Sequence, residues 1–319
     1  MMKKIGVPRG MLYYENFPFW KDYFNEIGYE IVVSKKTNKD ILDNGILNSV
    51  DEACLPVKII HGHVDYLKDK VDYIFVPRVV SLYKREYCCP KILGLPEMIK
   101  NSIEDLPEII DTIFDLDKRS GLESGYRDVG KYLNVSNKES SKAYKKAYSQ
   151  KEKYNDWIRA ELLPMNYKFR PNNINILVLG HSYNVFDDYI NMGILDKLSK
   201  RNINIYTAED LSSEHIRKFS SYTKKRLFWT HGRRIVGAAN YYIMNKEIDG
   251  IIFLSSFGCG LDSVLTHMVS RQSTIYEVPF MNLTLDEQTG EAGINTRLEA
   301  FLDMMKWRDK DKSYISTFR

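Results

Sequence analysis

Cysteines at 54, 88, 89 and 259 are the residues of this 319-residue chain best suited to chemistry. Thiols at these positions can be buried apolar filler, a nucleophile, or metal ligands gathered from distant segments. Their spacing matches none of the close pairs of zinc fingers, ribbons or thioredoxin-like sites. In Asp51-Glu52-Ala53-Cys54-Leu55-Pro56-Val57-Lys58, Cys54 precedes a helix whose first turn accepts Pro56, because that turn has no use for its missing N–H. In Ser255-Ser256-Phe257-Gly258-Cys259-Gly260-Leu261-Asp262-Ser263, the paired glycines let backbone approach a bulky ligand, and a helix begins near Asp262. Both thiols then face unpaired N–H groups at a positive helix end, which favours a thiolate and a negatively charged cluster behind it. In Tyr87-Cys88-Cys89-Pro90-Lys91 an extended backbone turns successive side chains to opposite sides, so one of the two cysteines faces a cleft. Three converging thiolates suit either zinc with a fourth ligand or a 4Fe-4S cluster with one iron open to water or substrate.

The elements that must position these segments follow from hydrophobic periodicity. The first half reads as strand 3–7, helix 17–28, strand 29–34, helices 38–48 and 56–69, and strand 73–79. Arg170-Pro171-Asn172-Asn173 is a polar break. After it come strand 174–179, helix 185–200, strand 203–207, helices 209–220 and 234–247, strand 250–255, helix 262–270, strand 274–277 and helix 292–308. This alternation predicts an α/β fold of two small doubly wound parallel-sheet domains, 1–96 with Cys54 and Cys89 and 171–319 with Cys259, joined by a largely helical connector at 97–170. Within the connector, Tyr144, Ala147 and Tyr148 fall at helical spacing. Gly125 to Lys131 imitates the start of a P-loop, but Tyr132 stands where Ser or Thr is needed and no apolar strand precedes it.

A formal charge of +4 from 46 basic and 42 acidic residues gives no support to a nucleic-acid or membrane-surface role. No run of eighteen apolar residues and no secretion-signal pattern occurs, so a cytoplasmic protein with reduced thiols is expected.

The segments around Cys54, Cys89 and Cys259 resemble the cysteine segments of the 2-hydroxyacyl-CoA dehydratase and benzoyl-CoA reductase cluster-subunit family, above all its acyl-CoA dehydratase activase-related branch. Supporting segments are Gly6 to Gly10 with Tyr13-Tyr14, Val76-Pro77-Arg78, Gly180-His181-Ser182-Tyr183 leading to Asp187-Asp188, and Leu285 to Gly293. The resemblance, together with Pro90 behind it, selects Cys89 over Cys88 as the third ligand. It implies a 4Fe-4S cluster held by three cysteines with one open iron, and a separate ATP-hydrolysing iron-sulfur activator as electron donor. It further implies radical chemistry on an acyl-CoA in a lyase component; a non-catalytic electron-transfer or accessory protein and a zinc-stabilised binding protein are the alternative readings, and the sequence is compatible with a homo- or a hetero-oligomer. Leu261, in place of an expected proline, and the pair Arg233-Arg234 depart from the pattern without removing a ligand.

Other residues carry alternatives. Arg9 and Arg78, each beside a proline at a strand end, suit bidentate contact with a cofactor phosphate or carboxylate, or an ion pair within the fold. The basic group Lys224, Lys225, Arg226, Arg233 and Arg234 suits coenzyme A phosphates, an acidic activator, or a solvated face. His61 and His63, two apart on a helix, point to different faces. His181 and His231 are cleft candidates. Asp286 and Glu287 suit a general base or caps, and Glu291 reads as a cap.

Overall fold

The computed structural model describes residues 2–316 apart from 118–120, 151–153, 155–156, 158–159, 165–166 and 224. Strands β1 (Lys4–Val7), β2 (Glu30–Val33), β3 (Tyr73–Phe75) and β5 (Glu108–Ile110) form one parallel sheet in the order β2-β1-β3-β5. Strands β7 (Asn175–Gly180), β8 (Asn204–Tyr206), β9 (Gly250–Ser256) and β10 (Phe280–Leu285) form a second in the order β10-β9-β7-β8. Each therefore places its second strand outside its first and its third on the other side, the flavodoxin-like order, with the reversal between β1 and β3 and between β7 and β9. The doubly wound α/β expectation is met. Ile176 to Leu179 and Ile251 to Leu254 are wholly buried, as parallel strands covered on both faces require.

The expected strand 73–79 is divided. Pro77, which has no N–H for a ladder bond, separates β3 from β4 (Arg78–Ser81), and β4 pairs with β6 (Ile113–Asp115) as a continuation of the β3–β5 ladder. The bonds Val76 N–H to Ile110 O (3.1 Å) and Arg78 N–H to Thr112 O (3.0 Å) bridge the break. Both β5 and β6 come from the segment expected to be largely helical. They are three residues each, too short to carry a visible alternation.

Two further expectations are corrected. The strand expected at 274–277 is the end of the helix Gly260–Ile275, and the edge strand is β10, after Pro279 has ended the turn. Ile275 and Tyr276 gave a strand-like signal, yet both are exposed. The helix expected at 185–200 is interrupted between Ser182–Phe186 and Ile194–Lys200, where Met192 and Gly193 take left-handed backbone (φ 56° and 67°) and Asp187 accepts the Tyr189 and Ile190 N–H groups.

The connector helices Gly121–Tyr132 and Asn137–Ser149 pack on the helix Tyr13–Glu26. Tyr23 donates to Tyr126 O (2.6 Å) and lies 2.8 Å from Ser140 Oγ. The P-loop-like run is inside the first of these helices, where Gly125 and Gly130 make room for Phe114 and Ser140. Helices Lys39–Leu47 and Leu55–Leu67 touch backbone to backbone: a Cβ on Gly62 would stand 1.8 Å from Ile41 O, and one on Gly45 2.0 Å from Lys58 O. This contact fixes the helix that begins after Cys54. Among the described residues no helix is long and apolar enough to cross a membrane.

Candidate metal centre

Cys54, Cys89 and Cys259 each cap the N-terminus of a helix: Leu55–Leu67, Pro90–Leu93 and Gly260–Ile275. All three have non-helical backbone, and their carbonyls begin the helices by accepting Val57 N–H (2.8 Å), Ile92 N–H (2.9 Å) and Ser263 N–H (3.2 Å). Pro56 and Pro90 occupy first-turn positions where the missing N–H has no intrahelical partner. At Cys259 the thiol itself accepts Asp262 N–H at 3.4 Å.

These segments meet. Gly258 has φ 73°, and a Cβ there would lie 3.8 Å from Glu52 O and 4.0 Å from Cys54 Cα, so the Cys259 loop rests on the Cys54 loop. Lys91, two residues beyond Cys89, donates to Glu52 O at 3.3 Å. Burial pushes the Cys54 thiol up, Lys91 opposes this, and the charges of Cys89 and Asp262 reinforce it. Burial and then Asp262 push Cys259 up to about 12, with Cys54 and Cys89 adding to the rise. Cys54 and Cys259 therefore stand on adjoining loops, and the segment after Cys89 is tied to the Cys54 loop through Lys91. Tyr183, buried and pushed well up by burial, feels Asp262 and all three thiols.

Cys88 is more deeply buried than Cys89. It is in the core, its N–H donates to Val80 O (2.9 Å), and burial followed by Glu15 pushes its thiol up to about 12. The loop carrying Cys88 and Cys89 is fastened to the second half of the chain. Tyr87 N–H donates to Phe228 O (2.6 Å), Thr230 N–H donates to Tyr87 O (3.0 Å), and the buried Glu86 carboxylate pairs with Arg226 (3.1 Å) and Arg233. Arg234 reaches Glu15 (3.4 Å) and Glu209 (3.5 Å). Three of the basic residues are therefore engaged in the fold, and Lys224 lies outside the described residues.

A buried polar group adjoins the thiols. His181, at the end of β7, stacks on Tyr183 (4.9 Å, 9° between planes) and meets the edge of His231 at 5.6 Å. Its Nε2 is 3.3 Å from Asp262 Oδ1, while Asp262 Oδ2 accepts Ser256 N–H at 2.8 Å. One ligand atom from each of His181, Cys259 and Asp262 lies within 4.8 Å of the others, the one such trio found among the described residues. His231 Nε2 is 3.6 Å from Glu15 Oε1. Burial alone raises Glu15, but His231, Arg234 and Ser182 outweigh it and hold the carboxyl well below the usual carboxylate range.

The remaining candidates have partners within the fold. Arg78 pairs with Glu97 and Asp111 (3.6 Å), and Arg9 lies 5.1 Å over the Tyr13 ring with Nε donating to Ser34 O (3.4 Å). His61 Nδ1 is 2.7 Å from Val57 O, and His63 Nε2 is 3.0 Å from Thr37 Oγ1. Asp286 accepts Gln288 N–H and the Thr289 hydroxyl, Glu287 pairs with Lys58, and Glu291 pairs with Lys197 (2.8 Å) in the first turn of the helix Glu291–Ser316. Asp262 and Tyr183 stand in the segments that carry Cys259 and His181 and had no role assigned from sequence, and Glu15 and Glu86 carry no local signal.

No curated protein matches the chain. A family model described as the CoA enzyme activase uncharacterised domain matches residues 4–211, more than half of the chain. The matched stretch takes in Cys54, Cys89 and His181 and ends before Cys259. This match overturns the expectation of a dehydratase cluster subunit that accepts an electron for radical chemistry on its own acyl-CoA, because the family is that of the activating component. The chain belongs to the family of the CoA enzyme activase uncharacterised domain.

Proposed function

We propose that this chain is a metal-thiolate component of a CoA enzyme activase, in which Cys54, Cys89 and Cys259 hold a 4Fe-4S cluster that relays single electrons toward a CoA enzyme. The observation that supports it is that Cys54, Cys89 and Cys259 each begin a helix, with the Cys259 loop resting on the Cys54 loop and Lys91 joining the Cys89 segment to it, in a chain of the activase family. A bound cluster of this kind supplies one-electron transfer at low potential. The donor set fits such a group: thiols at helix N-termini, beside a buried imidazole and a carboxylate oxygen that lack hydrogen bonds. The first-turn N–H groups stabilise anionic sulfur, and Lys91 adds a positive charge near Cys54. Ligation would remove the protons that burial otherwise retains on Cys54 and Cys259. Tyr183 and Leu261, both buried, shield the site from water.

In this reading the thioester chemistry belongs to the CoA enzyme, and ATP hydrolysis belongs to a separate partner. A cytoplasmic, oxygen-poor setting suits the free thiols.

Iron, sulfide and zinc analysis of anaerobically prepared protein tests the proposal. Iron and sulfide are expected in the wild type and in Cys88→Ala, with loss in Cys54→Ala, Cys89→Ala and Cys259→Ala. Zinc without iron or sulfide, or loading indifferent to the three substitutions, overturns it. Electron delivery is then read by mixing reduced protein with an acyl-CoA dehydratase and following reoxidation.

A further inference from the structure

We infer that His181 is a fourth protein ligand of this metal centre, oriented by Asp262. The inference rests on the proposed function only in requiring that the thiol pocket binds a metal group.

His181 is 2% exposed, and neither Nδ1 nor Nε2 has a hydrogen-bond partner among the described residues; the same holds for Asp262 Oδ1. Buried polar atoms left unpaired are costly, so several in one place need a partner that the neighbouring side chains do not supply. The contact at 3.3 Å between His181 Nε2 and Asp262 Oδ1 lacks hydrogen-bond alignment, and it leaves Nδ1 unpaired in any case. A metal atom on one imidazole nitrogen leaves the other to donate to the carboxylate, and one ligand atom from each of His181, Cys259 and Asp262 already lies within 4.8 Å of the others.

Both side chains are held in place. Asp262 is anchored by Ser256 N–H and by the helix it helps to start, and His181 is gripped between the Tyr183 face and the His231 edge. Fixed rotamers are what a preformed ligand set requires. Imidazole nitrogen with thiolate sulfur suits iron or zinc, and a carboxylate beside a ligating imidazole is the recurrent arrangement that sets its orientation. The topology accounts for the meeting: His181 follows β7 and Cys259 follows β9, the two strands flanking the reversal of strand order, where open parallel sheets place their ligands.

Pulsed EPR on the reduced, anaerobically loaded full chain reads the ligand directly. Wild type is expected to show hyperfine coupling to an imidazole nitrogen, lost in His181→Ala and in His181→Gln, which keeps the bulk. Asp262→Asn is expected to retain the coupling while weakening metal binding about 10- to 100-fold. If the bound metal is zinc, cobalt(II) substitution reports the same nitrogen. A loaded wild type without nitrogen coupling, or coupling that survives in folded His181→Ala, overturns the inference and leaves the three-thiolate reading standing. A wild type that binds neither iron, zinc nor cobalt overturns both.

Discussion

Lys58 Nζ lies 2.6 Å from Glu287 Oε1, and this pair ties the helix that begins after Cys54 to the segment following β10. The Lys58 side chain is 4% exposed and that of Glu287 29%, so the lysine has little access to water as a substitute partner. Removing one member of a buried pair costs about 3–5 kcal/mol. The partial exposure of Glu287 lowers the expected loss for Glu287→Gln to about 1–3 kcal/mol. Urea denaturation of the single variants and of Lys58→Met/Glu287→Leu separates pair from packing: the double variant should recover part of the loss, and a cycle with no coupling energy contradicts the assignment.

Glu86 is expected to be the dominant electrostatic anchor of the Cys88-Cys89 loop. Its carboxylate is buried against Arg226 and Arg233, so Glu86→Ala leaves two guanidinium groups without it. We expect destabilisation of about 2–4 kcal/mol and lower metal loading, with loading restored in part by Glu86→Asp. Stability unchanged in Glu86→Ala, measured by thermal melting, contradicts this role.

His63 makes stability fall in weak acid. Burial, followed by Arg9 and Lys35, lowers its folded value from 6.5 to about 3. The unfolded chain therefore takes up the proton first, and the contribution, complete above pH about 6.5, is lost as the pH falls toward 3 at about 1.4 kcal/mol per pH unit. Asp187, which Thr37 links to His63, titrates in the opposite sense because burial raises its carboxyl. The comparison is accordingly between wild type and His63→Gln: the mean slope from pH 7 to 5 should drop by about 0.7 proton in the variant, and equal slopes refute the assignment.

Gly62→Ala tests the backbone contact that sets the helix after Cys54. A methyl group 1.8 Å from Ile41 O cannot be absorbed by a side-chain rotation, since main chain lies on both sides. The helices must separate, at a cost of at least about 1–3 kcal/mol, and metal content should fall with the displacement of Cys54. Gly290→Ala, with open space around its Cβ, is the control expected to stay within about 0.5 kcal/mol.

The parts of the fold legible in the sequence were those with local causes. Pro56 and the Gly258/Gly260 pair marked Cys54 and Cys259 as helix-starting positions, and long apolar runs such as 251–254 marked buried strands. The adjacency of His181 and Asp262 was not legible, because it depends on β7 lying beside β9, a fact of sheet order and not of sequence separation. The partners of Arg226, Arg233 and Arg234 were hidden for a similar reason: Glu86, Glu15 and Glu209 are scattered along the chain. The misplaced edge strand shows the limit of composition, since β-branched and aromatic residues at 274–276 finish an exposed helix end while Pro279 passes the strand to Phe280–Leu285.

Gly258 sets its loop down on the backbone beside Cys54, so two sulfurs supplied by opposite ends of the chain flank one seam. In the proposed metal centre, an ion gripped from both banks of that seam would also clamp it shut, and thermodynamic reciprocity would make the clamping and the gripping equal in free energy. Prising the seam apart would then loosen the ion, and stripping the ion would ease the seam.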